Sequence, residues 1–162
     1  MEVIKIIVWS AGIFALGLVL KAAVEYFEGK KARWDFLKIL KTLPAEFKYK
    51  ENGETLIAGP TGVWLIKLCR QTEYSGRPGK KLIGDMLTQS TALKKLIREK
   101  TALDLKVQPV LVLPDSETDI KFELLVNLGV NIIRRKWIPK LLTEYPAENL
   151  DSQTLEKLKI FI

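Results

Sequence analysis

ETLIAGPTGVWLIKLC, residues 54–69, is the stretch on which the fold turns. Two runs rich in aliphatic and β-branched residues flank Gly59-Pro60-Thr61-Gly62, a pattern that predicts two antiparallel strands joined by a tight loop. With those four residues as the loop, Ala58 lies opposite Val63. Each outward step then pairs 57 with 64, 56 with 65, 55 with 66, and Glu54 with Lys67. Side chains alternate along a strand, so Val63, Leu65, Lys67 and Cys69 share one face while Trp64, Ile66 and Leu68 share the other. Glu54 and Lys67 therefore meet as a cross-strand pair of opposite charge, an arrangement stabilising by about 0.2–1 kcal/mol.

The elements around this hairpin follow from periodicity. Between Lys30 and Leu43, the spacing of Trp34, Leu37, Ile39, Leu40 and Leu43 predicts an amphipathic helix stopped by Pro44, continuing the preceding apolar segment with a break at Gly29. Strands are expected near 46–50, 54–58 and 62–69. A loop then follows at 70–81, RQTEYSGRPGKK, rich in turn formers. Met86, Leu93, Leu96 and Ile97 mark a helix at 83–99. The run VLVL at 110–113, bounded by Pro109 and Pro114, is apolar on both faces and reads as a buried central strand. A strand at 130–134 and helices near 137–144 and 151–161, the last capped by Asp151 or Ser152, complete the chain. This order is that of a mixed α/β domain with helices flanking a central sheet.

The chain has 162 residues, enough for one domain with a hydrophobic core. Residues 3–24, VIKIIVWSAGIFALGLVLKAAV, carry only Lys5 and Lys21 as charges, both near the ends. As a helix this run measures about 33 Å, sufficient for a hydrocarbon layer of about 30 Å. Tyr26 and Phe27 follow as interfacial aromatics, then Lys30, Lys31 and Arg33, whose positive charge places the following domain on the cytoplasmic side. The expected division is a transmembrane helix at 1–28 and a domain at 29–162, the alternative for the apolar run being a buried core helix. The net charge is +7; two lysines and three glutamates leave residues 1–28 at −1, so the remainder holds +8. Such an excess favours polyanions, either nucleic acid or anionic lipid. Cys69 is the one cysteine, which excludes an internal disulfide, and the lack of histidine removes the usual general base.

Several features occur together: LKTLPAEF at 40–47, the strand running into GPTGVWLI at 59–66, YSG at 74–76, a helix bearing Gln89, VLVLPD at 110–115 and two short closing helices. In this combination the chain from about Gly29 onward resembles the nuclease-related NERD family of the PD-(D/E)xK group. The resemblance implies a restriction-endonuclease-like mixed sheet flanked by helices and an ancestry in DNA processing. It further implies an acid before the Gly-Pro turn and an E-x-K on the next strand, jointly holding a divalent metal. Carried across, the acid falls on Glu54, the glutamate on Lys67 and the lysine on Cys69, so E-x-K has become KLC. The family's glutamine, used to hold a strand or a phosphate, falls on Gln89. The glycine-acid pair expected on the first helix is missing from GKKAR, and RQTE separates the hairpin from YSG.

These departures decide the expected chemistry. A hard divalent cation takes several oxygen ligands including ionised carboxylates, and Glu54 alone supplies one. An ammonium opposite it satisfies the acid and repels a metal. No cofactor is therefore expected, with Mg²⁺ or Mn²⁺ entering only if Glu73 or Asp85 has taken over a migrated nuclease site. Cys69 reads as a small strand hydrophobe, and Gln89 otherwise as a buried glutamine bonded to backbone. Arg77, Lys80, Lys81, Lys94, Lys95 and Arg98 form a candidate phosphate-contacting surface, weighed against ordinary solvated helix charges. Trp34, Trp64 and Trp137 read as core or interface residues. The expected function is a membrane-anchored, catalytically inactive nuclease-like domain that binds nucleic acid or another polyanion. The alternatives are an active metal-dependent nuclease and a non-enzymatic scaffold that forms homo-oligomers or recruits a protein partner.

Overall fold

A computed structural model describes the backbone of residues 2–69, 76–115 and 124–162, and the side chains of these except 2–16, 52 and 76–78. The chain divides into two units, residues 1–35 and 36–162. Helix α1, Glu2–Leu40, begins in the first and ends in the second. It runs without interruption through Gly29, where a break was expected: a helical glycine costs about 1 kcal/mol against alanine but leaves the hydrogen-bond ladder intact. Its end at Leu40 tightens into short-range bonds, Thr42 N–H to the Ile39 carbonyl at 3.0 Å and Leu43 N–H to the Leu40 carbonyl at 3.2 Å, ahead of Pro44. Among the described residues no helix is long and apolar enough to cross a membrane. Most of the apolar run at 3–24 has side chains outside that set.

The second unit is a three-layer arrangement around one mixed sheet. Strands β1 (Lys48–Asn52), β2 (Glu54–Gly59) and β3 (Gly62–Leu68) form an antiparallel meander. Helix α2 (Gly76–Thr101) leads to β4 (Val107–Leu113), which pairs parallel to β3. The hairpin β5 (Leu125–Asn127) and β6 (Val130–Arg134) adds β6 parallel to β4, giving the order β1-β2-β3-β4-β6-β5. A 3-10 turn at Arg135–Trp137, helix α3 (Ile138–Glu144) and helix α4 (Ser152–Leu158) close the chain. Asp151 is the cap of α4, its side chain accepting from Thr154 N–H at 2.8 Å.

Two apolar layers follow from alternation. Ala58, Val63, Leu65, Leu111 and Ile132 face Ile83, Met86 and Ile97 of α2 and Leu158 of α4. Ile57, Trp64, Ile66, Val110, Val112 and Ile133 face Phe36, Leu40 and the α3 residues Ile138, Leu141 and Leu142. β4 is buried on both sides, as VLVL implied, yet it begins at Val107 and passes through Pro109. The Cys69 N–H donates to the Val112 carbonyl at 2.9 Å, so even-numbered β4 residues address β3 and odd-numbered ones address β6. Pairing with β6 starts at Val110, and the missing donor of Pro109 thus falls just before that ladder begins.

Other boundaries also shift. β1 lies two residues later than expected. α2 starts at Gly76, inside the stretch read as a loop, because Pro78 occupies a first turn whose N–H groups have no helical partner in any case. Trp34, expected in a core or interface, is 67% exposed on α1, whereas Trp64 is fully buried.

Candidate functional site

The hairpin loop is fixed from a distance. Ala147 N–H and Glu148 N–H donate to the Thr61 carbonyl at 2.9 and 3.2 Å, Leu150 N–H donates to the Pro60 carbonyl at 2.8 Å, and the Thr61 hydroxyl donates to the Leu142 carbonyl. Gly59 abuts the Phe47 ring so closely that a Cβ there would overlap it. With the loop held, the pairing is Gly59 with Gly62, Ala58 with Val63, Ile57 with Trp64, Leu56 with Leu65 and Thr55 with Ile66. One step further out, Lys67 Nζ lies 3.2 Å from Glu54 Oε1.

Helix α2 adds the third member. Gln89 sits at the edge of its buried face, and Gln89 Nε2 donates to the same Glu54 oxygen at 3.1 Å. An ionised carboxylate only accepts, so the amide nitrogen and not the amide oxygen must point toward it. Gln89 Oε1 is turned away, buried and without a hydrogen-bond partner among the described residues. The expectation of a backbone-bonded glutamine is corrected on this point: its partner is the acid. Cys69 lies on the same strand face but is buried, its thiol donating to the Val112 carbonyl at 3.4 Å. It packs in the α2-side core.

The electrostatics follow from this geometry. Partial burial works against the charged form of Glu54, but the hydrogen bonds from Lys67 and Gln89, with the Lys67 charge, outweigh it and hold the carboxyl below its ordinary pKa. A depressed carboxylate pKa favours the folded state above the unfolded-state value and loses that contribution as pH falls through the folded one. Comparing the wild-type chain with Glu54→Gln in urea melts should therefore show a gap of up to about 1 kcal/mol near neutrality. That gap should close on acidification below about pH 4. A difference independent of pH would mean that the ion pair contributes nothing.

The cluster fits a divalent metal poorly. One carboxylate is available, and the oxygen that would ligate already accepts from an ammonium and an amide. Among the described residues no group of three acids or cysteines is placed to hold a metal. Asp85 is exposed on α2, and Glu73 lies outside the described residues. No family model, curated protein or solved structure matches the chain.

The candidate polyanion surface divides. At about 100° per residue, Lys80, Lys81, Lys94, Lys95 and Arg98 fall on one exposed side of α2. Lys94 is bound to Asp104 at 3.1 Å and Lys95 lies 3.8 Å from Glu99, which removes much of their field. Lys80, Lys81 and Arg98 remain exposed, and the Arg77 side chain lies outside the described residues. Sequence reasoning missed Asp115, which accepts from Arg135 Nε at 3.2 Å and Lys136 N–H at 2.8 Å. Its signal was present in VLVLPD: an acid just past a central strand is placed to accept from donors at the end of the neighbouring strand.

Proposed function

We propose that this chain is a membrane-anchored, NERD-like domain of the restriction-endonuclease type that has exchanged metal-dependent cleavage for binding of nucleic acid at the cytoplasmic membrane face. The observation that carries the reading is the Lys67 ammonium 3.2 Å from Glu54 Oε1, occupying the place where the resemblance puts a metal-bridging carboxylate. With a fixed cation there, nothing lowers the pKa of a bound water, the principal service a metal performs in such hydrolysis. The mixed sheet with helices on both faces is compatible with that ancestry. The anchor is supported by the exposure of Leu18, Val19, Leu20 and Val24, which point to different sides of α1. A groove on a partner protein covers one stripe of a helix, whereas a bilayer covers the whole circumference.

The full-length chain in neutral detergent should bind a fluorescently labelled DNA oligonucleotide equally well with magnesium and with EDTA. Its affinity should fall at least about tenfold between low and physiological salt. Lys80→Glu/Lys81→Glu should weaken binding more than Lys94→Glu/Lys95→Glu, because the latter pair is already matched by acids. Salt-independent binding, or magnesium-dependent cleavage abolished by Glu54→Ala, would overturn the proposal.

A further inference from the structure

From Glu25 to Asp35, helix α1 sorts its charges by side. At about 100° per residue, Arg33, Tyr26, Lys30, Trp34, Phe27 and Lys31 succeed one another around an arc of about 160°. The three acids of the same segment, Glu25, Glu28 and Asp35, fall on the remaining arc. Along this arc Tyr26, Phe27 and Trp34 are 57%, 68% and 67% exposed, and Lys30, Lys31 and Arg33 are exposed as well. Tyr26 and Phe27 meet edge to face with centroids 5.8 Å apart, and Lys30 Nζ sits 4.6 Å from the centroid of the Tyr26 ring. The lysine stem is thus laid along the helix with its charge held at the level of the aromatic rings.

We infer that this face is a headgroup site selective for anionic phospholipid. The inference rests on the reading that the preceding apolar run is embedded in a bilayer, and it specifies which lipid that bilayer must contain. Two observations select a lipid surface. Lys30 and Lys31 lie on the arc that holds none of the segment's three acids, and they complement a layer of phosphates. Three exposed aromatics interleaved with them suit the boundary where one end of a side chain is wet and the other apolar. The face also continues directly from residues 18–24, whose exposed side chains are largely aliphatic. That continuity puts Tyr26 and Phe27 at the edge of hydrocarbon, with the Lys30 charge beside the Tyr26 ring and Lys31 about one turn beyond Phe27, within reach of the phosphates.

The test titrates the full-length chain in neutral detergent with short-chain phosphatidylglycerol or phosphatidylcholine and reads binding by thermophoresis. The anionic lipid should bind about tenfold tighter or more. Lys30→Glu/Lys31→Glu should bring the two affinities within about twofold of one another, while Lys80→Glu/Lys81→Glu on α2 should leave the preference intact. Equal affinities in the wild type, or loss of preference in the α2 variant instead, would overturn the inference. So would an oligonucleotide that competes with phosphatidylglycerol and loses affinity in the Lys30/Lys31 variant, since the face would then serve nucleic acid. Alkaline carbonate extraction of membranes separates the two readings. Release of the chain would sink the embedded helix, whereas retention combined with equal lipid affinities would sink the headgroup site alone. Both pairs of substitutions lie on exposed helix faces, and unchanged circular dichroism melts would show that folding is not the cause.

Discussion

Replacing Trp64 with alanine should destabilise the domain by about 3–5 kcal/mol, the range for truncating a buried aromatic. Trp64 has no exposed surface and packs against Phe47 with ring centroids 6.3 Å apart. Its far side borders an open cleft of about 590 Å³ that Leu141, Tyr145 and Ala147 also line. Truncation would leave unfilled space between Phe47 and that cleft, and the cost should fall within that range. The same side chain carries a second consequence. β3 has period two, so sliding it by one residue would move Trp64 out of its layer and drive Lys67 into it. Burial of the ring on one face is what commits Lys67 to the other, opposite Glu54. Urea unfolding of the full-length chain in detergent should show the loss, with Trp34→Ala within about 0.5 kcal/mol of wild type as the exposed control. A cost for Trp64→Ala below about 1.5 kcal/mol would mean that this layer does not set the register.

What was legible in the sequence was local and periodic. The hairpin register could be read because GPTG admits few strand connections and because shifting VWLIK by one residue buries a lysine. The buried strand at VLVL needed only its two apolar faces. Boundaries failed where one residue type has two meanings. Gly76 and Pro78 look like loop formers, but both are tolerated in the first turn of α2, so its start was placed too late. β5 was not anticipated because its turn to β6 uses Leu128 at φ 51° beside Gly129 at φ 86°. A leucine in that left-handed conformation gives none of the Asn-Gly signal that normally marks a two-residue hairpin. At the site, Glu54 and Lys67 were placed by strand arithmetic. The Gln89 bond to Glu54 spans 35 residues between a helix and a strand, and periodicity assigns a helix face without naming the partner. The bonds from residues 147–150 to the loop were invisible for the same reason, since backbone groups carry no sequence signature.

Lys67→Glu should convert the site from metal-indifferent to metal-stabilised. In the wild-type chain Mn²⁺ should leave the melting temperature unchanged, because the Glu54 oxygen facing the cluster already accepts from Lys67 and Gln89. The substitution removes the ammonium and sets two carboxylates across the strand pair. Without metal their repulsion and the lost ion pair should cost about 1–2 kcal/mol, like charges directly opposite being unfavourable. With Mn²⁺ the same pair gains a common ligand. At a concentration ten times the dissociation constant, binding to the folded state alone contributes about 1.4 kcal/mol, which for a domain of this size raises the melting temperature by about 3–6 °C. On the proposed reading cleavage should not follow, because position 69 presents a buried thiol bonded to the Val112 carbonyl where the resemblance places an amine. The decisive comparison is therefore thermal melting of both chains in EDTA and in Mn²⁺. Stabilisation of the wild type by Mn²⁺ would show that Lys67 does not exclude the metal. No response from Lys67→Glu would show that the two positions do not form a shared pocket, and in either case the exchange of a cation for an ammonium would no longer explain the site.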